Sequence, residues 1–166
     1  MPHNKRILLA VDESDASRRA VDYVADMIDG RAGFHIGLVH LESPPRMLEW
    51  GGSENPEIEE KVSAQRGQTY RQLEKKAIAE GKVMLQQFKA TLEQKGIEVV
   101  VLLVRFEEPL DRKRIANEIL TTAQEQHYGT IVVGRHMFSL LESFFKHHVG
   151  EQLVRAGERV AVWVVE

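Results

Sequence analysis

The sequence predicts an α/β domain in which helices cover both faces of a five-stranded parallel sheet. Five short apolar runs have the length of strands, and segments with helical spacing of apolar residues separate them. Strands that are apolar throughout are typical of a parallel sheet buried on both faces, in the doubly wound arrangement. The 166 residues suit one such core, so we expect a single domain over residues 1–166.

The first half of the chain supplies two strands and two helices. KRILLAVD (5–12) predicts the first strand, Ser14 a helix N-cap and Gly30 the end of that helix. FHIGLVHL (34–41) predicts the second strand. A long helix over about 58–94 is predicted from apolar residues at helical spacing, namely Tyr70, Leu73, Ala77, Met84, Phe88 and Leu92, with Gly96 after its end.

The second half repeats the alternation of strand and helix. GIEVVVLLV (96–104) predicts the third strand, residues 110–127 a helix, and GTIVVG (129–134) the fourth strand. A helix around 144–155 and the last strand, RVAVWVV (159–165), complete the prediction. We expect the sheet to be covered on both sides.

Two strand ends mark a candidate ligand site. In open parallel sheets, ligands bind at the carboxyl ends of the strands, where the strand order reverses. Asp12 closes the first strand and Gly134 closes the fourth. A helix that begins after Gly134 would offer free N–H groups to an anion, so this region is the candidate crevice.

Composition excludes several classes of function. The formal charge is −3, from 22 Lys+Arg and 25 Asp+Glu, so we expect no nucleic-acid partner. The chain has no cysteine, which excludes thiolate catalysis, disulfides and cysteine-ligated metals. No apolar run approaches the ~20 residues of a membrane helix, and the first residues lack a signal peptide's apolar segment. We therefore expect a soluble, cytoplasmic protein without membrane contact.

Motifs at both ends of the chain resemble the universal stress protein family. KRILLAVDESDASRRAV resembles the family's first strand and helix, in which a Val-Asp-x-Ser turn follows the strand. The segments IVVG, VGEQLVR and VAVWVV resemble its closing half, and the long middle helix also fits. The resemblance covers essentially the whole chain. It implies the Rossmann-like fold shared with adenine-nucleotide alpha hydrolases, and a regulatory role in the stress response.

ATP-binding members of this family carry a glycine signature after the fourth strand. It reads Gly, two residues, Gly, nine residues, Gly, then Ser or Thr, and here these positions hold Gly134, Met137, His147 and His148. Methionine in a left-handed conformation costs about 1 to 2 kcal/mol, and its side chain would occupy phosphate space. The resemblance therefore implies a member that does not hold ATP tightly and has no cofactor. No motif places a general base or nucleophile, so we expect no enzymatic activity.

The resemblance also names a residual nucleotide crevice, formed by Asp12, Val39, Val133 and Gly134. Asp12 has an alternative role, as a strand-end acid that satisfies backbone donors in the following turn. Valine is common in any buried strand, so Val39 and Val133 do not distinguish a nucleotide site from an ordinary core.

A second hypothesis keeps nucleotide binding. Arg135, Lys146, His147 and His148 would replace the missing glycine contacts in an ATP- or AMP-binding switch with at most slow hydrolysis. The alternatives are solvated surface charge for Arg135 and Lys146, and capping or surface roles for the histidines. Adjacent residues on a helix diverge by about 100°, which is a poor arrangement for one metal ion, so we expect no metal site.

The last strand predicts a homodimer. It would lie at an edge of the sheet and expose free backbone groups and the broad ring of Trp163, with no charge or proline to protect them. The residues expected to form the dimer edge are Val160, Val162, Trp163 and Val164. The resemblance implies antiparallel pairing with a second copy about a two-fold axis. The alternative is an edge covered by its own helix. Further protein partners are expected but not identified. The loop 43–57 is predicted to be either a lid or a flexible connector.

Overall fold

The computed structural model describes residues 4–29, 31–44, 56–108, 110–135, 149–156 and 160–166, with the backbone alone for 56–63, 149, 150 and 156. The elements alternate between strand and helix, as predicted. In order they are β1 (Arg6–Ala10), α1 (Asp15–Ile28), β2 (His35–Glu42), α2 (Pro56–Glu93), β3 (Glu98–Arg105), α3 (Arg112–Glu125), β4 (Thr130–Gly134), α4 (Val149–Ala156) and β5 (Ala161–Val165).

The five strands form one sheet in the order β3-β2-β1-β4-β5. All four neighbouring pairs are parallel, which confirms the predicted five-stranded parallel sheet. The chain builds outward from β1 to β3 and then returns to the other side of β1 for β4. The strand order therefore reverses between β1 and β4, and β3 and β5 are the two edges.

Two apolar layers hold the helices on opposite faces of the sheet. Alternate residues of a strand point to opposite faces. In β1, Ile7 and Leu9 pack with α1 and the C-terminal half of α2, whereas Leu8 and Ala10 pack with α3 and Leu153 of α4. The predicted doubly wound arrangement is confirmed.

Capping residues mark several boundaries of the helices. The Ser14 side chain caps α1 by accepting a hydrogen bond from the Ser17 N–H at 3.2 Å, as predicted. Gly96 follows α2 in the left-handed conformation, with φ of +72°, also as predicted. Asp111 caps α3 in the same way as Ser14, with the Arg114 N–H at 2.7 Å.

The predicted long helix is confirmed, but residues 64–80 of α2 include no buried residue. Leu73 is 52% exposed and Ala77 is exposed, although both share the helical spacing of the core residues that follow. Burial begins at Gly81, after which Met84, Phe88 and Leu92 lie in the core. The physical reason is length: a helix of 38 residues spans about 57 Å, and an eight-residue strand spans only about 26 Å.

The edge strands are less covered than the central strands. In β3, Val100, Val101 and Leu103 are 52%, 38% and 41% exposed, and in β5 Val164 is 40% exposed. Trp163 was expected to be exposed, but it is half-buried and packs against the core under α1 and α2. An edge strand has only one neighbouring strand, so its side chains are less covered than those of the central strands.

Candidate functional site

The candidate crevice lies at the reversal of strand order. Asp12 follows the end of β1, and Gly134 is the last residue of the adjacent strand β4. Val39 is the partner of Ala10 in the pairing of β2 with β1, and Val133 directly precedes Gly134. The fold therefore places Asp12, Val133 and Gly134 at the carboxyl ends of β1 and β4, and Val39 within β2 at the level of the last residue of β1.

The Asp12 carboxylate is engaged in the turn between β1 and α1. Asp12 is buried, and its Oδ1 accepts hydrogen bonds from the Ser14 N–H at 3.0 Å and the Ser17 hydroxyl at 2.7 Å. The Ser14 hydroxyl also donates to this oxygen. In return, the Asp12 N–H donates to Ser17 Oγ at 2.9 Å. These contacts match the alternative role predicted for Asp12, that of a strand-end acid that satisfies donors in the turn.

Val39 and Val133 are core residues. They are 1% and 0% exposed, and both belong to the apolar layer that includes Leu110 of the loop before α3 and Leu153 of α4. Their burial follows from the central positions of β2 and β4 in the sheet. A role for the two valines in lining an adenine pocket stays a prediction.

Gly134 has a packing role. A Cβ added to Gly134 would lie 2.4 Å from the backbone oxygen of Ala16 and 2.8 Å from its Cβ, so the first turn of α1 packs directly on β4. Because residues alternate along a strand, Gly134 faces α1, and Val133 faces the opposite layer. The absence of a side chain at Gly134 is thus explained by helix packing on the face away from Val39 and Val133.

Arg135 joins the ends of β4 and β5. Its N–H donates to the carbonyl oxygen of Val165 at 2.7 Å, and its exposed guanidinium pairs with the Glu166 carboxylate. This pairing fits the surface-charge alternative for Arg135. The other predicted anion contacts, Lys146, His147 and His148, lie outside the described residues. The signature position Met137 and residues 45–55, most of the loop predicted as a lid or connector, also lie outside them.

His40 is a buried polar residue beside the crevice to which the sequence analysis gave no role. It is 5% exposed, and its Nδ1 lies 2.9 Å from the carbonyl oxygen of Val11. A carbonyl can only accept, so Nδ1 carries the hydrogen. Its Nε2 lies 3.8 Å from Glu13 Oε1, and a Cβ on Gly81 of α2 would approach it to 3.0 Å. A histidine inside the apolar run of β2 was the signal available in the sequence.

Glu42 is a second buried polar group near the same strand ends. Its side chain is 8% exposed, and Oε2 accepts hydrogen bonds from the Nε and a terminal nitrogen of Arg105, both at 2.9 Å. Glu42 and Arg105 are direct neighbours in the pairing of β2 with β3. Within the described part of the chain, no group of three or more acidic or histidine side chains is arranged to hold a metal.

The architecture and the crevice define a doubly wound α/β protein with its candidate site where the strand order reverses, a common position for nucleotide sites. A family model described as "Universal stress protein family" matches residues 3–165. The chain therefore belongs to the universal stress protein family, as the sequence motifs predicted. Comparison with curated proteins gave no match.

Solved structures of the same fold cover almost the whole chain. A universal stress family protein from Burkholderia pseudomallei has a TM-score of 0.61 at 22% identity, covering 99% of this chain and 98% of that one. Hypothetical protein MJ0577 has a TM-score of 0.67 at 22% identity, covering 98% and 95%. A universal stress protein from Archaeoglobus fulgidus in complex with dAMP has a TM-score of 0.56 at 19% identity, covering 100% of both chains. These similarities support the fold.

Among the helices that the structure describes, none combines the length and the apolar character that a membrane crossing needs.

Proposed function

We propose that this universal stress protein is a dimeric regulatory module that does not hold ATP tightly, uses no cofactor and catalyses no reaction. The main support for the proposal is that Asp12 and Gly134, the two described residues that best match the nucleotide-binding pattern, have structural roles. Asp12 organises the turn before α1, and Gly134 allows α1 to pack on β4. Their presence therefore needs no nucleotide to explain it. The remaining signature positions hold Met137, His147 and His148.

Calorimetric titration tests the nucleotide part of the proposal. We expect no saturable heat when nucleotide-free protein is titrated with ATP or AMP, with or without Mg²⁺, up to millimolar concentration. The matched variant restores the signature through Met137→Gly, His147→Gly and His148→Ser. We expect it to gain ATP binding, because glycine lets the backbone approach phosphates and a hydroxyl donates to them. Micromolar or tighter binding by the unchanged protein would overturn the proposal.

A second candidate function is an ATP- or AMP-binding switch of the same family. It is supported by the Archaeoglobus fulgidus protein, which has the same fold and is in complex with dAMP. In this chain Arg135, Lys146, His147 and His148 would then contact the phosphates. Arg135→Gln with Lys146→Gln should in that case weaken binding of ATP more than binding of adenosine, because only ATP carries phosphate charge.

The dimer of the proposal would form through β5. This strand is an edge of the sheet, Val164 is 40% exposed, and residues 160–165 carry no charge. Such an edge offers unpaired backbone groups to a second copy. Val162 and Trp163, both half-buried, would become more covered as the strands pair. The cytoplasmic location stays a prediction from the sequence.

Sedimentation of a charged edge variant tests the β5 dimer. Val164→Lys places a charge on the edge, and we expect it to weaken self-association through β5 about tenfold or more, or ~1.4 kcal/mol. Leu73→Lys is the control, because Leu73 is equally apolar and 52% exposed but lies on α2. Equal association constants for the two variants would place the dimer elsewhere.

A further inference from the structure

The second edge of the sheet, β3, is longer than β5 and exposes more large apolar side chains among the described residues. It has eight residues where β5 has five, and its only partner among the described strands is β2. Val100, Val101 and Leu103 are all at least 38% exposed. Charge occurs only at the two ends of the strand, at Glu98 and Arg105. By the argument that applies to β5, this edge lacks protection against pairing with another strand.

The pairing with β2 shows which backbone groups of β3 are available. Glu42 is opposite Arg105, and the Phe106 N–H donates to the carbonyl oxygen of Glu42 at 2.8 Å. In a parallel ladder, residues direct their N–H and C=O alternately to one neighbour and to the other. The even-numbered residues of β3 therefore bond to β2. The odd-numbered residues direct their backbone groups away from the sheet: Val99, Val101, Leu103 and Arg105.

We propose that β3 pairs antiparallel with β3 of a second copy, about a two-fold axis at Leu102. An axis perpendicular to the sheet leaves the same face of both copies on the same side of the joined sheet. Residues that lie opposite each other must therefore point to the same face, so both are odd-numbered or both are even-numbered. With Leu102 opposite itself, Val101 pairs with Leu103 and Val99 pairs with Arg105. In this register each of the four outward-facing residues lies opposite another outward-facing residue of β3, so all of their backbone groups can form hydrogen bonds between the two copies.

The chemistry of β3 favours a second copy as its occupant. In this register the central residues 100–104 meet only apolar partners, since Val100 lies opposite Val104, Val101 opposite Leu103 and Leu102 opposite Leu102, whereas Val99 lies opposite Arg105. The antiparallel direction also places the acidic end of one strand at the same end of the contact as the basic end of the other. Glu98 and Arg105 point to opposite faces of the sheet and keep their own partners, His35 and Glu42, so their attraction acts only over a distance. Parallel pairing would place like charges together.

This contact does not depend on the β5 dimer of the proposed function, because β3 and β5 are opposite edges of the sheet. A copy that used both edges would join two neighbours. The mass of the assembly would then exceed that of a dimer, and the edge responsible for each contact can be tested separately.

Cysteine cross-linking tests the register directly. The chain has no cysteine, so any disulfide must come from an introduced residue. Leu102→Cys is expected to give a covalent dimer under mild oxidation, because opposed residues of this kind place their Cβ atoms about 4.5 to 5.5 Å apart. Val100→Cys is the control on the same face of the strand. The two copies of residue 100 would be separated by four residues along the strands, or about 13 Å, which is too far for a disulfide. Val100 is 52% exposed, so a low yield would not result from burial.

We expect severalfold more covalent dimer from Leu102→Cys than from Val100→Cys, both in the unchanged background and together with Val164→Lys. Equal yields, or more from Val100→Cys, would overturn the register and with it the proposal. Val101→Lys with Leu103→Lys should abolish the cross-link of Leu102→Cys and lower the sedimenting mass. Both residues are already partly exposed, so this variant should keep the circular dichroism of the parent. A cross-link that persists in it would also refute the proposal.

Discussion

Replacement of Gly134 by alanine is expected to lower the free energy of unfolding by about 3 kcal/mol, at the upper end of overpacking effects. The added Cβ would lie 2.4 Å from the Ala16 oxygen, which is backbone and can move only if α1 moves with it. Urea denaturation followed by circular dichroism measures the change. The variant needs no ligand for this effect, so the loss should be the same with and without nucleotide.

A glycine in open space provides the control for Gly134. Gly67 lies within α2, and an added Cβ there would meet nothing closer than the Arg71 guanidinium at 4.0 Å. Gly67→Ala is expected to raise stability by about 0.5 to 1 kcal/mol, since alanine favours the helix. If Gly134→Ala were as stable as the parent, α1 could not pack on β4 as described.

Replacement of Asp12 by alanine is expected to cost about 3 kcal/mol of stability. It removes the acceptor of the Ser14 N–H and of the fully buried Ser17 hydroxyl, and a buried donor without a partner costs about 1 to 3 kcal/mol. Asp12→Asn keeps an oxygen at the same place and should cost less. Thermal unfolding at neutral pH measures the order of the three proteins.

Asp15 is the matched control for Asp12. It is an exposed carboxylate in the first turn of α1, and Asp15→Ala should cost no more than about 1 kcal/mol, through the helix dipole. Equal losses at Asp12 and Asp15 would contradict the turn network. The comparison also affects binding studies, because weaker nucleotide binding by Asp12→Ala could reflect a disturbed turn rather than a lost contact.

The sequence predicted those parts of the fold that depend on neighbouring residues. Apolar runs located all five strands, Ser14 was recognised as a cap, and Gly96 was recognised beyond the end of α2. The strand order was not accessible in this way. RILLA of β1 and EVVVLLVR of β3 have similar composition, yet one is central and the other is an edge. The order of the strands depends on packing between segments that are distant in the sequence. The periodicity of apolar residues within one segment does not indicate this order.

The candidate site was predicted in location but not in its contacts. Asp12 and Gly134 lie on adjacent strands, as expected for a site at the reversal of strand order. The packing of Gly134 against Ala16 could not be predicted, because it depends on the angle at which α1 crosses β4. His40 was missed for a similar reason: its partners, Val11 and Gly81, come from two other elements.

The position of His40 makes the turn before Asp12 depend on the packing of α2. The Nδ1–H of the imidazole donates to the carbonyl of Val11, the residue before Asp12, and a Cβ at Gly81 of α2 would lie only 3.0 Å from Nε2. A larger residue at position 81 would therefore press on the imidazole that is bonded to the end of β1. Gly81 is also where burial of α2 begins, since none of residues 64–80 is buried, so the contact with His40 lies at the boundary between the exposed and the packed part of this helix.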